Sequence, residues 1–135
     1  MDFEALKAKR NKINIFAKMV GIEVTDIKEG YAKVRMPVKQ IHLNPIGSVH
    51  GACLFTIAAT AAGASAASYG LKVTTLEADI HYFCAGLNAS CLYGEACEIK
   101  SGKRTLVYRV SVTDQDGKIL NESIFTFMVL ETSIK

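Results

Sequence analysis

From Asn44 to Gly70 the chain reads NPIGSVHGACLFTIAATAAGASAASYG, with no Asp, Glu, Lys or Arg. Asn44-Pro45 and Gly47-Ser48 mark a turn at its front. The body is rich in Ala, the best helix former, and no Pro interrupts it. This predicts one helix over residues 50–69, stopped at Gly70. A helix without a charged face is enclosed on all sides or lies in lipid. Its length of ~20 residues could span a bilayer, but Ala, Gly, Ser and Thr dominate where Leu, Ile and Val would be needed. The small side chains suit a helix wrapped closely by a curved sheet.

The flanking segments carry other periods. Residues 1–20 predict an amphipathic helix, with Phe3, Leu6, Ile13, Phe16 and Val20 facing inward and Lys9, Arg10, Lys12 and Lys18 outward. Its predicted role is to cover the sheet or steer access to a site. Ile22 to Met36 predict a hairpin about Glu29-Gly30, closed by Pro37, and residues 38–49 a loop containing His42. After Gly70 the pattern alternates. Residues 73–83 put Leu76, Ala78, Ile80 and Tyr82 on one face and Thr75, Glu77, Asp79 and His81 on the other. Further strands are predicted over 87–100, around Leu106–Val112, and over 119–130, with turns at Ser101-Gly102 and Asp116-Gly117. The expected class is α+β, one domain over residues 1–135: an antiparallel sheet curved around one central helix. Strand 73–83 would be an edge that pairs with a copy of itself, giving a dimer with a continuous sheet.

Composition narrows the function classes. A chain of 135 residues, 50% hydrophobic and 21% charged, fits one globular domain. The net charge of +3 gives no reason to expect a nucleic-acid partner. The first 20 residues lack the apolar core of a secretory signal. Cys53, Cys84, Cys91 and Cys97 form no CxxC pair, so no zinc site is expected. They read as reduced, buried thiols of a cytoplasmic protein, with Cys84 the one to watch for reactivity.

The chemical end is the first turn of the central helix. Unpaired N–H groups and the helix dipole converge there. Gly51 has no side chain to obstruct its N–H, and His50 adjoins it. Such a pair can hold an oxyanion or a polarised carbonyl. The plainer alternative is that Gly51 permits close packing and His50 caps the helix.

The stretch Asn44-Pro-Ile-Gly47-Ser48-Val-His50-Gly51-Ala-Cys-Leu54-Phe55 resembles the N-x-x-G-[ST]-x-H-G-G-x-L-x signature of hotdog-fold acyl-CoA thioesterases, most closely the phenylacetate-degradation (PaaI-like) branch. Tyr82-Phe83, Gly102-Lys103-Arg104 and Asp116-Gly117-Lys118 fall where that family has counterparts, and the likeness runs from about residue 20 to 130. The resemblance implies a hotdog fold and a double-hotdog homodimer, often a tetramer, with the site between subunits. It implies Gly51 N–H as oxyanion donor, His50 and Asn44 as orienting groups, and Thr75 near the attacking water. Lys103 and Arg104 would meet the phosphates of coenzyme A, which enters only as part of the substrate, with no other cofactor and no metal. A solvated hairpin tip is the alternative for that basic turn.

One departure matters. The family carries Asp or Glu nine residues after His50, as base or nucleophile; here the position is Ala59. Ala52 also replaces a second Gly. A positioned base is worth roughly 10²–10⁴-fold in rate, and one oxyanion donor about 10²–10³-fold. Thr56 and Thr60 are the nearest polar helix residues. Glu77, Asp79 and His81, expected on the Thr75 face, could substitute, although lining a polar dimer edge or solvent is their plainer role. His50 could itself be the base. The leading reading is therefore an acyl-CoA hydrolase with an altered catalytic set, and the alternative is a non-catalytic acyl-thioester binder. A hotdog hydratase is disfavoured, because no Asp follows His50. The acyl group is not legible.

Overall fold

The computed structural model describes residues 1–131, so the predicted domain end at 135 lies outside the described residues. The elements run α1 (Phe3–Ile13), α2 (Ile15–Val20), β1 (Glu23–Lys28), β2 (Tyr31–Pro37), α3 (Gly51–Ala67), β3 (Lys72–Tyr82), β4 (Cys91–Ser101), β5 (Thr105–Thr113) and β6 (Ile119–Glu131). The six strands form one sheet in the order β1-β2-β4-β5-β6-β3, antiparallel throughout. Among the described residues no helix is long and apolar enough to cross a membrane.

The sheet curls around α3, as the uncharged stretch predicted. Alternate residues of the central strands, including Met36, Leu92, Tyr108, Val110 and Phe125, are buried with Leu54, Ile57, Ala58, Ala61 and Ala62 of the helix. Small residues set the spacing. A Cβ built on Gly94 of β4 would stand 2.8 Å from Ile57 Cγ2 and 3.3 Å from the Ile57 carbonyl oxygen, so only glycine lets the helix press on the sheet there. Burial is not complete around α3. Ala52 and Phe55 are exposed and Ala59 and Gly63 half-buried, a stripe at helical spacing that opens toward β3.

Four expectations need correction. The N-terminal helix is two helices, because Asn14 leaves helical geometry and its side chain accepts from the Ala17 N–H to start α2. The break turns Ile13 and Phe16 outward, beside exposed Ile15 and Met19, while Leu6 stays buried. The central helix ends at Ala67, with Ser68–Gly70 forming the exit turn. Strand β4 begins at Cys91, because Asn88 at φ 55° turns the preceding segment away. The four thiols are free but not buried: Cys97 is exposed and the others half-buried.

The two sheet edges differ. At β1, the Asn11 side chain of α1 accepts from Val24 N–H at 2.7 Å and donates to Val24 C=O at 3.0 Å, and Lys7 Nζ donates to the Thr25 carbonyl. That edge is closed by side chains doing a strand's work. The β3 edge pairs with β6 on one side and with nothing among the described residues on the other.

Candidate functional site

The segment before α3 is built by its own polar groups. Asn44 Oδ1 accepts from the N–H of Ile46 and of Ser48, and Asn44 Nδ2 donates to Ser48 Oγ at 2.8 Å. Gly47 takes φ 86°, which completes the tight turn. Asn44 thus shapes the loop, with one amide hydrogen left over. Two buried bonds anchor the loop from behind. His42 is 2% exposed; its Nδ1 accepts from Lys39 N–H and its Nε2–H donates to the Val20 carbonyl. The His42 carbonyl in turn accepts the His50 N–H at 2.8 Å.

His50 is the N-cap of α3, and its Nδ1 accepts from Ala52 N–H at 3.0 Å. That bond fixes the neutral ring with its proton on Nε2, pointing into solvent. In this tautomer His50 is a donor toward a bound group, and the nitrogen that could act as base is occupied by the helix. The Gly51 N–H has no partner among the described residues. Gly51 itself borders an apolar pocket of about 300 Å³, lined also by Val49, Leu54, Tyr82, Phe83 and Cys84. The Tyr82 hydroxyl donates to the Gly51 carbonyl at 3.1 Å, which ties the end of β3 to the helix start. Neither Tyr82 nor Cys84 signals this position by its spacing in the sequence.

A second, larger cavity of about 490 Å³ lies further along the helix, between α3 and β3. Ala59, Gly63 and Ala67, one turn apart, form one wall, and Val73, Thr75 and Phe127 face them. Thr75 reaches this cavity because β3 bulges against β6. Thr75 lies opposite Phe127 and Glu77 opposite Thr126, with Leu76 skipped. The bulge breaks the alternation the sequence predicted. Thr75 falls on the helix side with Ala78 and Ile80, while Glu77, Asp79 and His81 point outward. His81 Nε2 lies 3.5 Å from Asp79 Oδ1 in an exposed pair, so neither reaches the cavity in its own chain. Thr56 and Thr60 donate to the carbonyls of Ala52 and Thr56, so neither hydroxyl serves as base.

Arg10 of α1 also enters this cavity. A Cβ on Gly63 would stand 3.2 Å from a terminal guanidinium nitrogen, so the absent side chain makes room for the cation. Arg10 Nε is buried without a hydrogen-bond partner, and no described residue pairs with the side chain. Burial pushes its pKa down. Arg10 therefore does not lie on the solvent face that the helical periodicity predicts; a basic residue opposite a glycine in another element has no local signature in the sequence.

The two cavities do not meet within one chain. Eight residues separate Gly51 from Ala59, roughly 12 Å along a helix. Lys103 and Arg104 are exposed on the β4–β5 turn. The next residue, Thr105, pairs with Met128, which pairs with Thr74. The basic turn therefore sits beside the start of β3, roughly 26 Å of strand from Tyr82.

The profile of the thioesterase superfamily matches residues 46–120. A putative esterase of Archaeoglobus fulgidus is 31% identical over 117 residues, covering 87% of this chain and 76% of the relative. The acyl-coenzyme A thioesterase PaaI of Escherichia coli is 33% identical over 76% of this chain and 73% of its own. The solved structure of the E. coli PaaI protein superposes with TM-score 0.92 over 98% of this chain and 96% of that one, at 26% identity. A Streptococcus pneumoniae thioesterase solved with coenzyme A has TM-score 0.79 and 29% identity, covering 83% of this chain and 88% of that one. Two further structures of that protein carry an aspartate-to-alanine and a threonine-to-alanine substitution, at positions sixteen residues apart.

Proposed function

The chain belongs to the thioesterase superfamily, and we propose that it is an acyl-CoA hydrolase of the PaaI-like type, working without a helix carboxylate. One observation carries the proposal: Gly51, with an N–H unpartnered among the described residues, starts the central helix and borders an apolar pocket beside a histidine locked as a donor. The thioester carbonyl sits there, its developing negative charge taken by Gly51 N–H and the helix dipole. His50 Nε2–H orients the thioester. Asn44 acts through the loop that presents both.

Thr75 holds the attacking water. Ala59 and Thr75 are sixteen residues apart, the separation of the aspartate and threonine replaced in the S. pneumoniae protein. This chain carries natively, at Ala59, the alanine made there by substitution. With no base to take the water's proton, turnover is slow, by roughly the 10²–10⁴-fold that a positioned base supplies.

The functional unit is a homodimer, and pairs of dimers form a tetramer. Reacting atoms must approach to about 3–3.5 Å, so half-sites 12 Å apart in one chain belong to different copies. Antiparallel pairing of β3 with β3 of a second copy sets the Gly51 end of one chain beside the Thr75 end of the other. The free β3 edge and the closed β1 edge favour that pairing. The same arrangement brings Lys103 and Arg104 of one chain toward the thioester bound at Gly51 of the other, where the phosphates of coenzyme A lie. The reaction uses no cofactor beyond the coenzyme A of its substrate, and the protein works in the cytoplasm.

The test is thiol release from acyl-CoAs ranging from acetyl to palmitoyl, with aryl-acyl species included. Turnover lost in His50→Ala supports the hydrolase. Tight binding without turnover supports the second reading, a non-catalytic acyl-thioester binder, which Ala59 favours. No interaction with any acyl-CoA overturns both.

A further inference from the structure

We propose that the cavity between α3 and β3 is a carboxylate-binding subsite centred on Arg10, and that the acyl group this protein takes carries a free carboxylate of its own. The inference rests on the thioesterase reading for the identity of the ligand, but its geometry stands independently.

A guanidinium does not lose its proton in proteins, so Arg10 is a fixed positive charge. Arg10 is half-buried, with Nε fully out of solvent; partial burial of a charge without an anion carries part of the desolvation cost, and buried charges are ordinarily paired. Here the cost has no structural return within the chain. Among the described residues, Arg10 Nε meets no hydrogen-bond partner and no carboxylate lines the cavity. The other charged lining residue is Lys72, a second cation, and Thr74 and Thr75 add hydroxyls. Ala59 sharpens the point. It lies one helical turn from Gly63, against which the guanidinium rests, and an acid at that position would be the natural counter-ion. With alanine there, the described residues give the cavity cations and space but no anion.

A carboxylate fits that vacancy best. The planar guanidinium fork accepts it through two parallel N–H···O bonds. The apolar walls at Ala67, Val73 and Phe127 suit the methylenes that connect it to the thioester. The acyl half of a dicarboxylic acid monothioester has this form: thioester carbonyl at Gly51 of one copy, distal carboxylate at Arg10 of the other. A coenzyme A phosphate is the other anion that could enter, and the experiment separates the two.

The experiment compares glutaryl-CoA with pentanoyl-CoA, equal in chain length and differing by the carboxylate. Binding of their non-hydrolysable thioether analogues, of free coenzyme A and of free glutarate is measured by calorimetry on the intact protein. Native protein is set against Arg10→Met and Arg10→Lys. Charged hydrogen bonds of this kind predict about a 10- to 100-fold preference for the glutaryl analogue. That preference should collapse toward unity in Arg10→Met and partly survive in Arg10→Lys. Because Arg10 has no partner to lose, Arg10→Met should fold and melt at or above the native temperature, a result that a role in holding the fold would reverse. Equal affinity for the two analogues in native protein overturns the proposal. So does a loss in Arg10→Met that is as large for free coenzyme A as for the glutaryl analogue, which would assign Arg10 to phosphate. If no coenzyme A species binds, the thioesterase reading fails; Arg10-dependent binding of glutarate would still support the subsite.

Discussion

Restoring the carboxylate at position 59 tests the site's electrostatics and its chemistry together. Ala59→Asp places an acid on the half-buried stripe of α3, across the cavity from Thr75. If a water sits between them, the new carboxylate is a general base worth roughly 10²–10⁴-fold. Arg10 opposes part of that gain. Its guanidinium rests against Gly63, one helical turn (about 5.4 Å of rise) from position 59, and an opposite charge at about 4–6 Å lowers a carboxylate pKa by about 1–3 units. A carboxylate so held is a weaker base, and its oxygens are turned toward nitrogen rather than water. Ala59→Asp alone should therefore raise kcat for pentanoyl-CoA by only about 10- to 100-fold, at or below the lower end of the range for a positioned base. The double variant Ala59→Asp with Arg10→Met should gain roughly tenfold more, with the effects non-additive because the two groups touch. Stability should move the other way. Arg10 neutralises the buried acid in the single variant and cannot in the double, which should melt lower. Thiol release under saturating substrate and a thermal scan give both readouts. No gain in either variant would refute the placement of Ala59 at the base position. A double variant no more active than the single would refute the pairing with Arg10.

Other expectations are narrower. Gly51→Pro removes the N–H proposed to hold the carbonyl oxygen while suiting the first position of a helix, and His50 already has the extended backbone (φ −60°, ψ 135°) that precedes proline; the melting temperature should hold and kcat fall by about 10²–10³-fold. Unchanged kcat would exclude that N–H from the chemistry. His42→Ala leaves the Lys39 N–H and the Val20 carbonyl without partners and should cost about 2–4 kcal/mol in denaturant unfolding; a cost below 1 kcal/mol would mean that His42 does not anchor the loop. Leu76→Lys puts a charge on the exposed bulge of β3, and lysine is what edge strands use to resist pairing. Sedimentation should show a smaller species that lacks the β3-paired dimer, with loss of turnover, and full activity without that pairing would refute the composite site.

The fold was legible because its strongest signal is local. An uncharged, Ala-rich run ending at Gly70 can be stable only if something wraps it, and the alternating strands that follow supply the wrapping. Asn44, His50 and Gly51 were legible for the same reason: turn, cap and first turn are contiguous. What stayed hidden depends on register and on meetings between distant elements. The bulge at Leu76 moves Thr75 across the sheet, and no residue type announces it. The break at Asn14 turns two apolar side chains outward, although its capping chemistry could have been read from the asparagine. Arg10 could not be assigned, because its place is defined by the missing side chain of Gly63, more than fifty residues away.

Arg10 and Ala59 make one electrostatic argument when considered together. A helix carboxylate beside Arg10 would form an ion pair that serves catalysis and shields the cavity from anionic ligands. Removing the acid alone loses a base but also unmasks a cation. Within one chain the guanidinium has no evident structural use, since replacing an unpaired buried charge with an apolar side chain of similar reach costs little and can stabilise. Arg10 is half-buried with its Nε out of solvent, seated on a glycine, and without a partner among the described residues. This combination is economical only if the partner arrives with the ligand. On the proposed reading, alanine at position 59 weakens hydrolysis of an uncharged acyl group and gives selectivity for a charged one. The two effects separate cleanly: Ala59→Asp should raise turnover of pentanoyl-CoA and abolish the preference for glutaryl-CoA in one protein. A variant that gained the first and kept the second would break the link between them.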